Sequence, residues 1–239
     1  MASQKRDTAS RWARLAAEAL VIFAGVGLAL LADDWRETRG EREEAARSLE
    51  LIERDLARDS VQVARAIELT EEDAGAAQWL LARWSRRAVD SDSVLPKVLE
   101  LRNGARPAFS RAGFEGLRAS NGIRLLGSGE LRDSLLHYYE VTQPRFVEYY
   151  FDVVWPQIGV GIERMGPHVE TSQMAVGGTL ALRSSWSVLT SDHSLETQLS
   201  LYSGQVRRSN ELLSEIQESV ESLLGRIRLG SARDRAPRN

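Results

Sequence analysis

The chain of 239 residues contains no cysteine and has only 6 proline and 3 histidine residues. The lack of cysteine excludes disulfide bonds, thiolate metal sites and cysteine nucleophiles. Acidic residues slightly outnumber basic ones, 34 to 31, which leaves a net charge of −3. That charge argues against a nucleic-acid partner, because neutralising phosphates needs a clustered positive surface. Hydrophobic residues make up 43% of the chain, enough for a folded core.

The sequence also lacks the usual motifs of catalysis and metal binding. His137, His168 and His193 fall in three separate segments, without the spacing of a metal site. There is no P-loop, no dinucleotide-binding glycine pattern and no nucleophile elbow. We therefore expect no catalytic residues, no metal and no cofactor, with an enzyme that carries no recognisable motif as the alternative.

One long apolar run is present near the N-terminus, from Leu15 to Ala32, and Glu18 is its single charge. At about 1.5 Å per residue, this run and its flanks can cross a hydrocarbon layer of about 30 Å. Trp12 and Trp35 bracket it about 34 Å apart along a helix, the spacing expected of two interfacial anchors. The sequence thus predicts a transmembrane helix over 15–35.

A buried core helix and a cleaved signal peptide are the alternatives to a membrane span. The run is slightly long for a core helix, which would also leave the paired tryptophans unexplained. Leu30 suits a signal-peptide cleavage site poorly, so we expect the segment to be retained. The basic segment 1–14 is expected in the cytoplasm, which places the helix in a bacterial inner membrane and the bulk of the chain in the periplasm.

Three residues of the run are candidates for docking on other membrane helices: Glu18, Gly25 and Ala29. Gly25 and Ala29 are four apart and offer a small-residue surface for close helix approach. Glu18 has three possible roles: reaching back toward its own basic flank, making a polar contact with another membrane helix, or relaying protons. The predicted partners are other integral membrane proteins and lipid.

Beyond the span, the sequence predicts an all-α extracytoplasmic domain over 36–229, built as a long-helix bundle, and a basic tail over 230–239. Ser128 is placed to cap a helix that begins near Glu130. A loop or short hairpin fits 156–193. Acidic residues of the stretch 33–73 are expected on solvated faces. The helices are predicted at about 36–87, 94–102, 109–126, 130–164 and 193–228.

The last predicted helix carries the most regular apolar pattern, with spacings that alternate between three and four residues. This pattern predicts a helix that packs along another helix, either within the chain or as an intermolecular coiled coil in a homo-oligomer. The predicted packing seam consists of Leu199, Val206, Leu213, Ile216, Val220 and Leu223.

The stretch EALVIFAGVGLALLADDW resembles a bacterial family of small single-span inner-membrane proteins of unknown function. Members have an apolar helix that starts with Glu, a Gly seven residues later, and a closing Ala-Leu and Asn/Asp pair before Trp. A second similarity covers GFEGLRASNGIRLLGSGELRDSLLHYY, at Leu117, Ser120, Gly122, Glu130, Leu131, Arg132, Tyr138 and Tyr139. The pair Asp33-Asp34 departs from the commoner Asn pair. The resemblance implies a membrane span with an extracytoplasmic helical domain and implies no activity.

We expect a non-catalytic, membrane-anchored accessory subunit that braces a larger bacterial membrane complex. The partner class that we favour is an energy-transducing complex, respiratory or photosynthetic. The alternative is a self-associating membrane-anchored sensor or tether, in which the last helix forms the oligomer seam and the loop around Trp186 receives a ligand.

Overall fold

The computed structural model describes residues 4–84, 91–101, 106–126, 128–171, 180–182 and 185–235. The ends of the predicted cytoplasmic segment and basic tail, 1–3 and 236–239, lie outside the described residues. Residues 4–22 and Ala24 are described by their backbone and not by their side chains.

The described part of the chain is mainly helical, which confirms the all-α class. Two three-residue strands, β1 (Val169–Thr171) and β2 (Leu180–Leu182), pair antiparallel within the region predicted as a loop or hairpin. The helices are α1 (Gln4–Trp84), α2 (Ser91–Glu100), α3 (Ala112–Ala119), α4 (Gly129–His137), α5 (Gln143–Tyr149), α6 (Trp155–Met165), α7 (Trp186–Thr190) and α8 (His193–Arg235).

Helix α1 is a single helix of 81 residues that contains both the predicted membrane segment and the first helix predicted after it. Gly40 does not interrupt it, although a glycine inside a helix costs about 1 kcal/mol relative to alanine. The Arg39 guanidinium bonds Glu43 at 3.0 Å, one turn further on. The apolar segment and the bundle are thus joined by continuous helix.

Helix α8 packs antiparallel along α1. The contacts Tyr202–Asp73, Gln217–Ser60 and Arg228–Glu53 descend along α1 as they ascend along α8. The helix continues to Arg235, past the expected end at residue 228, so residues 230–235 of the predicted tail are helical. The strong helix formers alanine and arginine in this stretch favour the extension.

Two apolar clusters hold the bundle together. The larger one joins the middle of α1 to α3, to α4, α5 and the π turns that follow each of them, and to the C-terminal half of α8. Its largest fully buried side chains include Ile52, Leu56, Phe114, Leu117, Leu135, Tyr138, Tyr139, Phe146, Leu213 and Ile216. The smaller one joins the end of α1 to α2, α7 and the start of α8, through Ala77, Leu80, Val94, Trp186, Leu189, Leu195, Leu199, Tyr202 and Val206.

One continuous helical rod runs from Gly129 to Met165, although it contains two prolines. A π-helical turn precedes each of them: Tyr138–Thr142 before Pro144 and Tyr150–Val154 before Pro156. A proline lacks the N–H of the helical ladder and its ring crowds the preceding turn. The wider π turns accommodate the prolines without ending the rod.

The helix predicted over 109–126 is broken into two pieces. Helix α3 ends at Ala119, and a 3₁₀ turn follows at Gly122–Leu125. Asn121 between them has a φ of 55°, a left-handed conformation that asparagine adopts more readily than most residues. The predicted cap is confirmed, since the Ser128 hydroxyl accepts a hydrogen bond from Leu131 N at 3.4 Å.

Candidate functional site

The predicted docking surface lies on the first part of α1. Gly25 and Ala29 are exposed, and a Cβ atom at Gly25 would meet nothing within 4 Å. The ring of Trp35 is exposed and lies beneath the Arg39 guanidinium, 5.6 Å away. The side chains of Trp12 and Glu18 lie outside the described part of the chain.

The large apolar side chains on this part of α1 are uncovered. Phe23 is 78% exposed, and Val26, Leu28, Leu30, Leu31 and Trp35 are exposed as well. Among the described side chains of α1, Ala45 is the first that is buried. Taken over the described residues, no helix has both the length and the apolar character that a membrane crossing needs. The side chains of 15–22 and Ala24, which belong to the predicted apolar run, lie outside the described part of the chain. The membrane span therefore stays a prediction.

The predicted seam of α8 is buried within the chain. Its members pack against α1 and the neighbouring helices, the first two in the smaller cluster and the others in the larger one. The six residues are Leu199, Val206, Leu213, Ile216, Val220 and Leu223. The loop around Trp186, expected to receive a ligand in the alternative hypothesis, forms helix α7 instead, and the Trp186 ring packs edge-on against Trp84 at 5.5 Å.

Three carboxyl groups on α1, those of Asp55, Asp59 and Asp73, are buried in the bundle. The expectation that the acids of 33–73 are solvated is wrong for these three. A signal for two of them is present in the sequence: Asp59 and Asp73 take alternate places in a seven-residue repeat along the buried face of α1. That repeat consists of Ile52, Asp59, Ala66, Asp73 and Leu80.

The first two of these acids hold the start of α3 and the segment that precedes it. Asp55 Oδ2 accepts a hydrogen bond from Gly113 N at 3.1 Å, and Asp59 Oδ1 accepts one from Ser110 N at 3.3 Å. Gln62, one turn further along α1, accepts one from Ala108 N at 2.8 Å. Asp55, Asp59 and Gln62 are spaced i, i+4 and i+7 and therefore lie on one face of α1. This face supplies hydrogen-bond acceptors for backbone N–H groups that would otherwise be unpaired.

Asp59 also joins α1 to the rod of α4–α6. Its Oδ2 accepts a hydrogen bond from the Tyr138 hydroxyl at 3.1 Å, and both residues are almost fully buried. Burial raises the pKa of Asp59 to about 6, against the opposing effect of the hydrogen bonds from Ser110 and Tyr138. Burial, and then the nearby Asp59, raises the pKa of Tyr138. This pair is a polar contact between two helices inside the larger cluster.

Asp73 forms a second such contact, between α1 and α8. The Tyr202 hydroxyl lies 2.9 Å from Asp73 Oδ2 and 3.0 Å from the carbonyl oxygen of Leu101, the residue after α2. Within the described part of the chain, Asp73 Oδ1 is buried without a hydrogen-bond donor. Burial raises the pKa of Asp73 to about 6, and Glu72 and Glu100 raise it further against the effect of Tyr202.

An open cleft of about 410 Å³ lies between α4 and α8, and its lining does not include Asp59 or Asp73. It is bordered by Asp133, Ser134, His137, Tyr138, Glu218, Ser219, Ser222 and Leu223. Tyr138 is the link between this cleft and Asp59, but its hydroxyl bonds inward to that carboxyl group. Among the described residues, no group of three or more His, Cys, Asp or Glu side chains is arranged to hold a metal ion.

Residues of the second resembling stretch fasten α3 and the turn after it to α1. A Cβ atom at Gly122 would stand 2.7 Å from Leu117 Cδ1 and 3.1 Å from Ala45 Cβ, so a side chain at this position would push against the buried Leu117. The two tyrosines, Tyr138 and Tyr139, are buried side by side with their rings edge to face at 4.8 Å. These residues therefore have structural roles at the joint between α1 and the rod.

Comparisons of the chain with protein-family models, with curated proteins and with solved structures find no match.

Proposed function

We propose that the protein is a non-catalytic, membrane-anchored accessory subunit that braces a larger bacterial membrane complex. Its first helix would lie in the inner membrane with the N-terminus in the cytoplasm, and its bundle would stand in the periplasm. One observation carries the proposal: the large apolar side chains described on α1 from Phe23 to Trp35 are uncovered, and α1 is a core element of the bundle from Ala45 onward.

The exposed apolar side chains from Phe23 to Trp35 support an environment other than water for this segment of α1. Burial of apolar surface contributes about 25 cal/mol per Å², and a contiguous exposed apolar patch is typical of a membrane or protein interface. The apolar side chains lie around the helix and not along one stripe, since Phe23, Val26, Leu28, Leu30 and Leu31 are all exposed. Lipid together with neighbouring membrane helices would cover such a surface.

The continuity of α1 supports a bracing role. From Trp35 to Trp84 every residue is helical, and the helix extends over about 70 Å at about 1.5 Å per residue. Helix α8 packs along it and stiffens it through the buried seam. A bundle attached in this way would hold a fixed position above the membrane, which suits the reinforcement of an extracytoplasmic surface. An energy-transducing complex, respiratory or photosynthetic, is the partner class that we favour.

The placement of the titratable groups supports a non-catalytic role. The two carboxyl groups whose pKa is raised, Asp59 and Asp73, are enclosed in the bundle and bonded to tyrosines of neighbouring elements. A general acid or base must reach a bound substrate, and these groups face the interior. Their contacts join helices, as a structural subunit requires.

Extraction in a mild detergent tests the proposal, with size analysis and identification of the accompanying chains by mass. We expect the wild-type chain to elute with stoichiometric membrane proteins. Gly25→Leu and Ala29→Leu should release those companions, because a bulky side chain prevents close helix approach. Gly27→Leu is the matched control: it makes the same change about 200° around the helix from Gly25 and should keep them.

A lone monomer at full abundance would contradict the proposal. A homodimer or larger homo-oligomer without other chains would instead favour the self-associating sensor or tether. The burial of the α8 seam within the chain leaves that alternative without the contact surface on which it was based.

A further inference from the structure

The two buried aspartate–tyrosine pairs differ in the number of donors that face the carboxyl group. Asp59 has a donor on each oxygen, Ser110 N on Oδ1 and the Tyr138 hydroxyl on Oδ2. Asp73 has the Tyr202 hydroxyl on Oδ2, and among the described residues nothing donates to its Oδ1. An ionised carboxylate accepts hydrogen bonds at both oxygens, so the surroundings of Asp59 suit the charged form and those of Asp73 do not.

The Tyr202 hydroxyl has one proton and two oxygen neighbours. Asp73 Oδ2 lies 2.9 Å away and the Leu101 carbonyl oxygen 3.0 Å away, and a carbonyl can only accept. If Asp73 is ionised, both neighbours compete for the same proton and one contact is left without a hydrogen. If Asp73 carries a proton, it donates to the Tyr202 oxygen, and Tyr202 donates to Leu101. Only the protonated arrangement makes both hydrogen bonds.

The charged groups around Asp73 favour the same arrangement. Glu72 on α1 and Glu100 on α2 both oppose a further negative charge. Lys97, the cation on α2, bonds both oxygens of Glu100 at 2.8 and 2.7 Å. Tyr150 of the rod lies near both members of the pair, and its own surroundings include Arg106. Asp73 itself is 2% exposed.

We infer that Asp73 is a proton-binding site, and that its proton operates a latch that holds the end of α2 against α1 and α8 through Tyr202. With the proton bound, the chain Asp73–Tyr202–Leu101 is complete. When the proton leaves, the Tyr202 hydrogen turns to the carboxylate and the Leu101 carbonyl loses its donor. The bundle then releases α2 at higher pH and retains it at lower pH. This inference depends on the bundle alone and not on the membrane span.

The ligand of this site is a proton and not a metal ion. Glu72 and Glu100 act on Asp73 through their charge, and within the described residues they do not join it in an arrangement of three or more potential metal ligands. Burial raises the pKa of Asp73 to about 6, so the proton is released as the pH rises through that value.

Hydrogen–deuterium exchange of the α2 amides tests the latch, measured on the full chain at about pH 5 and pH 8 and corrected for the intrinsic pH dependence of exchange. We expect the wild-type chain to lose protection in 91–101 at the higher pH. Asp73→Asn, whose amide donates to Tyr202 as the protonated acid does, should keep this protection at both values. Tyr202→Phe should lower it at both, because it removes the link to Leu101.

Two controls separate the latch from a general effect of charge. Glu71→Gln removes an exposed carboxylate of α1 that is not among the groups acting on Asp73, and should keep the wild-type difference between the two pH values. Asp59→Asn should keep the difference as well, because it leaves the latch intact. Equal corrected protection of α2 at both pH values in the wild-type chain would overturn the proposal, and this measurement needs no variant to fold. A wild-type difference that persists unchanged in Asp73→Asn would also overturn it.

Discussion

Gly113 lies against the backbone of Ile52, so that a Cβ atom at position 113 would stand 2.6 Å from the Ile52 nitrogen. Of the two glycines of α3, Gly113 and Gly116, Gly113 lies closer to α1. This approach brings Gly113 N within 3.1 Å of Asp55 Oδ2. The missing side chain therefore permits both the helix contact and the hydrogen bond to the buried carboxylate.

Gly113→Ala is expected to destabilise the bundle by about 1–3 kcal/mol, the usual cost of overpacking a core position. Besides Ile52 Cγ1, the obstructing atoms are the backbone nitrogen of Ile52 and the backbone carbonyl carbon of Leu51, which cannot move aside as a flexible side chain would. Urea unfolding followed by circular dichroism measures the change. Gly116→Ala is the matched control on the same helix: its Cβ would meet Ser48 Oγ at an ordinary 3.5 Å, so we expect no loss and a gain of up to about 1 kcal/mol in helix propensity. Equal effects of the two changes would contradict this explanation.

The start of α8 depends on a single capping residue, Asp192. Its carboxylate accepts a hydrogen bond from Ser194 N at 2.8 Å, and hydrogen bonding by the Ser194 side chain and then by this backbone N lowers the pKa of Asp192. Asp192→Ala should lower the unfolding free energy, and Asp192→Asn should lower it less because an asparagine can still cap. Thermal unfolding of both variants at neutral pH checks the order. An alanine variant as stable as the asparagine variant would show that the cap does not stabilise α8.

Sequence periodicity was sufficient to predict the helical class and the regular seam of α8, because apolar residues there repeat without interruption. It could not predict the interior of α1, where Asp59 and Asp73 replace apolar residues in the buried repeat. An acidic residue in a helix is normally expected to face solvent. The partners that allow these two to be buried, Tyr138 and Tyr202, are 79 and 129 residues away along the chain. The π turns before Pro144 and Pro156 were not predicted either, since a proline is normally taken to end a helix.

The pH dependence of stability follows from the two buried acids whose pKa is raised, Asp59 and Asp73. Burial raises the pKa of Asp59 and of Asp73 from 3.8 to about 6, so the native state binds more protons than the unfolded state between those values. Their contribution is fully present below about pH 4 and is lost as the pH rises through about 6. A shift of about 2 units corresponds to about 3 kcal/mol for each group.

Urea unfolding across this range measures the dependence. The unfolding free energy should fall from about pH 4 to pH 7 more steeply in the wild-type chain than in Asp73→Asn, which lacks one of the two titrating groups. Glu71→Gln, which changes an exposed acid of the same helix that does not act on Asp73, should follow the wild-type slope. A wild-type free energy that stays level or rises over this interval would contradict the raised pKa of Asp59 and Asp73.

The adjacent tyrosines of the first π turn allow a direct comparison of a bonded and an unbonded hydroxyl. Tyr138 donates to Asp59 at 3.1 Å, whereas the buried Tyr139 hydroxyl has no hydrogen-bond partner among the described residues. Tyr138→Phe removes a donor from a buried carboxyl group and should cost about 1–3 kcal/mol. Tyr139→Phe keeps the ring that stacks on Phe114 at 4.4 Å and removes only an unsatisfied polar atom, so stability should be unchanged or higher. Urea unfolding of the two single variants measures both changes. A larger loss of stability in Tyr139→Phe than in Tyr138→Phe would contradict this prediction, because it would mean that the Tyr139 hydroxyl contributes more to stability than the Asp59–Tyr138 hydrogen bond.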